Sequence, residues 1–117
     1  MCLWAGCGFP YHEDAATGYY RYTGFNEKSW VDQELMVESK SGITFLSPDV
    51  FESAEEAWRR LALPKIPAFR IGPFYPHELP AIVIPDRVVS PNFGQPGGGR
   101  ECAVEGPIRV FGVKRLL

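Results

Sequence analysis

The segment with the most unusual composition spans residues 92–101 and ends in a carboxylate. It contains Gly97, Gly98 and Gly99 in a row, followed by Arg100 and Glu101. Consecutive glycines cost backbone entropy, so a folded domain usually keeps them where φ is positive or where the backbone closely approaches another group. The segment lacks the Gly-Lys-Ser/Thr of a P-loop. Two interpretations stay open: a turn that delivers a catalytic Glu101 to the start of a strand, or a flexible hairpin connection with Glu101 in solvent.

Arg21 is the second candidate for chemistry, because it lies among aromatic residues in a segment, 18–23, that predicts the first strand. Its stem and guanidinium could simply cover neighbouring tyrosines at the surface. The planar guanidinium could instead bind a carboxylate or phosphate. His12 and His77 have no Ser or Cys in a nucleophile context nearby, so the sequence gives no support for a hydrolase triad.

The cysteines Cys2, Cys7 and Cys102 do not form an even set, which disfavours a disulfide scaffold and favours a reducing site of action. Cys2 and Cys7 supply only half of a zinc site, and no second ligand pair follows at suitable spacing. The sequence therefore predicts no metal.

The bulk composition predicts one folded domain. A chain of 117 residues with 45% hydrophobic residues can bury a core. A net charge of −2 lacks the cationic excess of most nucleic-acid readers. No apolar run has the length of a membrane span, and the first residues do not have the pattern of a signal peptide. Residues 1–17 lack periodicity and are interpreted as a leader or junction, with the domain at 18–117.

The elements that must position these candidates are mostly short strands. Strands are expected at 18–23, 43–46, 68–71, 81–84, 87–89, 100–104 and 108–113, with the last pair forming a hairpin through residues 105–107. Prolines in the later half favour edge strands. Residues 26–37 predict a weak helix.

The strongest helix signal begins at Ser53. Ser53 and Glu56 have the spacing of a capping box, Ala54 begins an apolar stripe, and Pro64 ends the segment. The helices come first and most strands later, which predicts the α+β class.

Several stretches together resemble the toxin domains of bacterial polymorphic (Rhs-type) effectors that act as ADP-ribosyltransferases, and most closely those that modify elongation factor Tu. The stretches are residues 20–22, 42–49, 52–57, 60–64 and 94–99, followed by Glu101. In order along the chain they resemble the arginine, middle-strand and glutamate layout of that family. The resemblance covers about residues 18–117 and implies a small ADP-ribosyltransferase-like fold.

The resemblance implies roles for individual residues around NAD, the ADP-ribose donor. Glu101 would be the catalytic carboxylate and would bind the 2′-hydroxyl of the nicotinamide-side ribose. Arg21 would bind the NAD phosphates or that ribose. The remaining NAD-binding residues implied by the resemblance are Tyr22, Thr44, Phe45, Ser47 and Gln95, with a middle-strand hydroxyl and aromatic packing the nicotinamide.

The acceptor is implied only by the resemblance. Elongation factor Tu is the expected acceptor and ribosomal RNA the less favoured one. A toxin of this kind would be delivered by secretion to the cytoplasm of a target cell, would act with no membrane partner, and would need a cognate immunity protein. Many arginine-modifying members carry a second acid where this chain has Gly99. An NAD glycohydrolase toxin and a non-enzymatic α+β binding module are the alternatives.

Overall fold

Eight strands and one α-helix form the part of the chain that the computed structural model describes, which is residues 18–24, 36–37, 42–106, 108–109 and 112–117. A 3-10 helix covers Pro76–Glu78. The elements are, in chain order, β1 (Tyr19–Thr23), β2 (Met36–Val37), β3 (Ile43–Leu46), α1 (Ala54–Arg60), β4 (Phe69–Phe74), β5 (Ala81–Val88), β6 (Arg100–Glu105), β7 (Ile108–Arg109) and β8 (Val113–Arg115). The predicted leader, residues 1–17, lies outside the described residues.

The described strands form two antiparallel sheets of three strands each. One sheet has the order β1-β4-β8 and the other β3-β6-β5, while β2 and β7 pair with each other. Two backbone hydrogen bonds join the sheets, from Tyr20 N to Ser47 O at 2.7 Å and from Ser47 N to Tyr20 O at 2.8 Å. This mixture of antiparallel strands with one helix agrees with the predicted α+β class.

Among the described residues, the buried side chains form two clusters. The first packs between the two sheets and consists of Leu46, Ile71, Phe74, Cys102, Val104 and Ile108. The second lies under α1 and consists of Tyr22, Ala57, Leu61, Ala62 and Val89. Alternation along β3 and β6 explains the first cluster, since every second residue of a strand points to the same side of the sheet.

The helix α1 begins where the sequence predicts. The Ser53 side chain accepts a hydrogen bond from Glu56 N at 3.0 Å, which is one half of the predicted capping box. The Glu56 carboxylate pairs with Arg59 and Arg60. The helix has seven residues. No helix in the described ranges is long and apolar enough to cross a membrane.

The predicted hairpin between residues 100–104 and 108–113 is wrong. Strand β6 is the centre of its sheet, so β3 and β5 already occupy both of its edges. Gly106, at φ +117°, redirects the chain and donates its N–H to Gly42 O at 2.9 Å. The chain then pairs β7 with β2 and β8 with β4.

Two other predicted elements also need correction. The end of the predicted helix at 26–37 is a strand, Met36–Val37, which pairs with β7; residues 26–35 lie outside the described residues. The two segments predicted at 81–84 and 87–89 form one edge strand, β5, whose register shifts twice. Such irregularities let a strand that contains Pro85 keep its pairing.

Candidate functional site

A continuous cleft lies beside the ends of β1, β3 and β6. Its narrow part, of about 80 Å³, is here called the inner cleft; it is lined by Tyr20, Arg21, Tyr22, Phe45, Leu46, Ser47, Leu61, Leu63 and Glu101. Its wide part, of about 530 Å³, is called the outer groove and extends over the end of β5 and the loop after it. Phe45, Leu61, Leu63 and Glu101 line both parts.

Glu101 lies where the two parts of the cleft meet. Leu46 pairs with Cys102, so Glu101 lies one residue beyond the end of β3, beside Ser47. Alternation along β6 turns Cys102 into the core and Glu101 to the cleft. The Glu101 side chain is 21% exposed, and its Oε2 accepts a hydrogen bond from Arg87 Nε at 2.9 Å. The carboxylate is thus partly buried and held, unlike the solvated residue of the flexible-connection interpretation.

The glycine-rich segment closes the end of α1 and thereby places Glu101. Gly97 N donates to Arg59 O and Gly99 N donates to Arg60 O, both at 2.9 Å. Within a continuing helix Arg60 O would accept from residue 64, but Pro64 has no N–H. Gly99 supplies the missing donor. The close backbone approach that three glycines predict is therefore an approach to the carbonyl end of the helix.

A salt bridge fixes the first residue of β6. Asp49 accepts hydrogen bonds from Arg100 N at 2.8 Å and from Arg100 Nη2 at 2.6 Å. The hydrogen bond and charge of Asp49 raise the pKa of Arg100. Asp49 N in turn donates to Ser47 Oγ at 3.0 Å. The loop after β3 and the start of β6 therefore hold Ser47 and Glu101 side by side.

Arg21 and Phe45 are the predicted binding residues on the cleft surface. Arg21 pairs with Ile71 in the sheet and lines the inner cleft. Phe45 is 45% exposed although it is a large aromatic residue, because alternation along β3 turns it away from the side on which Thr44 and Leu46 are buried. An exposed aromatic face beside an arginine and a carboxylate can stack on a planar heterocycle.

Tyr22 contributes to the cleft wall, but its hydroxyl serves the fold. The hydroxyl donates to Asp49 O at 2.8 Å and accepts from Phe51 N at 2.9 Å. Burial raises the pKa of Tyr22 to about 12, so the hydroxyl is neutral and can make both bonds. Tyr22 therefore anchors the loop between β3 and α1.

We expect Tyr22→Phe to lower the free energy of unfolding by about 1–3 kcal/mol, because a part-buried donor and acceptor lose their partner. Urea denaturation measures the change. Tyr20→Phe is the matched control, since the described residues give the Tyr20 hydroxyl no hydrogen bond, and it should change stability little. Equal losses for the two variants would contradict this role of Tyr22.

Thr44 is not brought into the cleft. It is 0% exposed and pairs with Val104, on the core side of β3. Its Oγ1 is buried and has no hydrogen-bond partner in the described part of the chain. The hydroxyl that faces the core thus has an uncompensated desolvation cost.

Thr44→Val should raise the free energy of unfolding by about 1 kcal/mol, because valine has the same shape without the unsatisfied hydroxyl. Thr44→Ser, which keeps the hydroxyl and removes the methyl group, should lower it. Chemical denaturation of both variants checks the pair of signs. A destabilised Thr44→Val protein would show that the hydroxyl makes a stabilising hydrogen bond in the folded protein.

Gln95 also lies outside the residues that line the cleft. It closes a tight turn with Asn92, in which Gln95 N donates to Asn92 O at 2.8 Å. Its neighbours Asn92 and Phe93 line the outer groove. The role that the resemblance gives to Gln95 stays a prediction.

Two other potentially reactive side chains of the described residues, Cys102 and His77, do not line the cleft. Burial raises the pKa of Cys102 to about 12, with the charges of Asp86 and Glu101 adding to the shift, so its thiol is neutral at pH 7. His77 stacks on Tyr75 at 6.4 Å between ring centroids. The described ranges hold no group of three His, Cys, Asp or Glu placed to bind a metal ion. Cys2, Cys7 and His12 lie outside the described residues.

Asp49, Arg87 and Arg100 also belong to the site, although the sequence pattern did not predict a role for them. Their contacts join residues far apart in the chain: Arg100 is 51 positions from Asp49, and Glu101 is 14 from Arg87. The only local signal was the basic Arg100 next to the candidate carboxylate. Pairing partners at such distances depend on strand register, which no local pattern specifies.

Most of the residues assigned to the site from the sequence line the cleft. They are Arg21, Tyr22, Phe45, Ser47 and Glu101. Thr44 lies on the core side of β3, and Gln95 lies beside the outer groove. No protein-family model, curated protein or solved structure matches this chain.

Proposed function

We propose that this chain is a mono-ADP-ribosyltransferase toxin domain that takes ADP-ribose from NAD. The observation that carries the proposal is the shared cleft: Arg21 from β1, Phe45 from β3 and Glu101 from β6 line one cavity. A guanidinium, an exposed aromatic ring and a carboxylate match the phosphates, the nicotinamide and the ribose of NAD. The resemblance of the sequence to ADP-ribosyltransferase toxins assigns the same residues to the same groups.

The proposed reaction breaks the bond between nicotinamide and the ribose carbon C1′. Nicotinamide leaves as a neutral molecule, and positive charge develops on the ribose ring, as in glycoside cleavage. The carboxylate of Glu101 accepts a hydrogen bond from the ribose 2′-hydroxyl and stabilises that charge. Because the attraction is stronger in the transition state than in bound NAD, it accelerates the reaction.

Arg21 and Phe45 would hold NAD for this step. The guanidinium is permanently charged and can make two parallel hydrogen bonds to phosphate oxygens. The ring of Phe45 offers its face to nicotinamide. Partial burial of Glu101 lowers the local dielectric and strengthens its effect on the developing charge.

The residue at position 99 affects how the group that attacks C1′ can be activated. A Cβ at Gly99 would lie 2.9 Å from Arg60 O, so the acidic residue that many arginine-modifying members carry there has no room in this fold. The attacking group must therefore lose its proton to another base or to the target itself. This observation keeps NAD hydrolysis, with water as the acceptor, as the second candidate function.

Elongation factor Tu is the acceptor we propose, with ribosomal RNA less favoured, and modification of either would stop protein synthesis. The domain would be delivered by secretion to the cytoplasm of a target cell. A cognate immunity protein would protect the cell that makes the toxin. These assignments rest on the resemblance alone.

Incubation of the protein with NAD labelled in its adenylate, together with a bacterial lysate, tests the proposal. Label on one discrete protein supports transfer, and mass spectrometry of that protein identifies the acceptor. Label on RNA would keep transfer but replace the acceptor. Free ADP-ribose alone would support hydrolysis instead, and intact NAD would contradict both enzyme functions.

We expect Arg21→Lys to weaken NAD binding roughly tenfold, because an ammonium is a point charge and cannot reproduce the two-pronged contact of a guanidinium. Calorimetric titration with NAD measures the dissociation constant. Arg59→Lys, on the outer face of α1, is the control. An unchanged NAD affinity in Arg21→Lys would return Arg21 to the role of a surface residue that covers its neighbours.

A further inference from the structure

We infer that Arg87 is a positioning residue for Glu101, holding one carboxylate oxygen so that the other is presented to the ribose of NAD. The inference rests on the proposed function, since it concerns the same carboxylate. It gives a role to a residue that no sequence pattern singles out. Arg87 lines the outer groove and contacts Glu101 from the neighbouring strand.

The two residues are fixed opposite each other by strand register. Arg87 of β5 pairs directly with Glu101 of β6, and Nε lies 2.9 Å from Oε2. The register of β5 shifts between Ile84 and Arg87, and such an irregularity re-aims the side chains that follow it. The shift is what brings Arg87 into line with Glu101.

A second contact holds the shifted segment in place. The Tyr19 hydroxyl lies 3.1 Å from each carboxylate oxygen of Asp86, the residue before Arg87. Strand β1, which carries Arg21, is thereby tied to the part of β5 that carries Arg87. The phosphate-binding and carboxylate-holding arginines thus belong to one connected framework.

The contact between Arg87 and Glu101 uses only one carboxylate oxygen. Oε2 accepts from Nε, whereas the described residues give Oε1 no hydrogen bond. A free glutamate side chain rotates about three bonds, and a charge-assisted hydrogen bond restricts that rotation. Arg87 therefore pre-orders the carboxylate and leaves Oε1 for the substrate.

Stabilisation of the fold does not explain the pair well. The Arg87 side chain is 51% exposed, and ion pairs with an exposed partner contribute little to stability. The pair Arg59–Glu56 on α1 has a similarly exposed arginine, at 48%, and lies outside the cleft. It therefore provides a matched comparison.

The test compares Arg87→Gln and Arg87→Lys with Arg59→Gln in steady-state NAD cleavage. We expect Arg87→Gln to lower kcat roughly 10- to 100-fold with KM nearly unchanged, Arg87→Lys to recover much of the loss, and Arg59→Gln to behave as wild type. In a Glu101→Gln background, Arg87→Gln should cause no further loss, because Arg87 acts through the carboxylate.

Any other result overturns either the positioning role of Arg87 or the proposed function. If the wild-type protein cleaves NAD and Arg87→Gln has an unchanged or raised kcat, the positioning role is wrong and the proposed function still stands. Losses that multiply in the double variant show that Arg87 acts independently of Glu101 and also overturn it. Wild-type protein that leaves NAD intact overturns the proposed function and this inference with it. If Arg87→Gln fails to fold, Arg87→Met takes its place, because methionine keeps an apolar side chain at this position and has no donor for Glu101; a kcat equal to that of Arg59→Gln would then overturn the positioning role.

Discussion

Replacement of Glu101 by glutamine is expected to lower the rate of NAD cleavage on the order of 10²–10³-fold while the protein remains folded. Glutamine has the same shape and can still accept a hydrogen bond from Arg87, so the fold loses only a half-exposed ion pair. What it lacks is the negative charge that stabilises the oxocarbenium-like transition state. The loss should therefore fall on kcat, with NAD binding little changed.

Release of nicotinamide from NAD measures the rate, and thermal unfolding checks the fold. Glu105→Gln is the matched control, because Glu105 lies on the same strand and, by alternation, on the same side of it, but lines neither part of the cleft. It should keep wild-type activity and toxicity. A Glu101→Gln protein that is still toxic to cells would mean that the carboxylate is not the catalytic group.

The second large effect is expected at the glycine turn. We expect Gly97→Ala to lower the free energy of unfolding by about 3–5 kcal/mol. Gly97 has φ +73°, and a Cβ there would lie 2.5 Å from Val89 O. The variant adds left-handed backbone strain to a clash with the main chain. Relief of that clash would pull the turn away from Arg59 O and disturb the end of α1.

Gly94→Ala separates the two causes. Gly94 has nearly the same angle, φ +75°, but a Cβ there would meet nothing within 4 Å. This variant should cost only the left-handed strain, about 1–2 kcal/mol. Urea denaturation of both proteins gives the difference. Equal losses at Gly97 and Gly94 would show that the turn does not pack tightly against the helix and β5.

The helix α1 shows how much of this fold local sequence can predict. Its start depends on Ser53 and Glu56, three positions apart, and its end on Pro64, so each signal lies within a turn or two of the residue it acts on. The strands at 18–23 and 43–46 were likewise predicted from short runs of aromatic and β-branched residues. All of these elements are confirmed, with boundaries shifted by a few residues.

The predicted hairpin failed because pairing is a property of the whole sheet. Residues 100–113 contain two strand-like runs around a Gly-Pro turn, which is the local pattern of a hairpin. Yet β6 is bonded to β3 and β5, from earlier in the chain. Competition between possible neighbours is decided by which arrangement buries Cys102, Val104 and Ile108, and no window of sequence contains that comparison.

The candidate site, like the fold, was predictable from the sequence only in part. The sequence by itself singled out Glu101, Arg21 and the three glycines, because unusual residue types in unusual settings can be seen without a fold. The resemblance placed both Thr44 and Ser47 beside Phe45 and did not tell which of them contacts the nicotinamide. The side of β3 that faces the core was decided by its register with β6.

Only the tertiary structure decided what the glycines approach and what holds the carboxylate. Gly99 donates to Arg60 O because Pro64 cannot, and Arg87 reaches Glu101 because the register of β5 shifts before it. Both contacts join residues that are distant in sequence. The sequence determined which groups are available for chemistry. The packing of the described sheets against α1 determined which of these groups meet, because their positions depend on contacts between segments that are far apart in the chain.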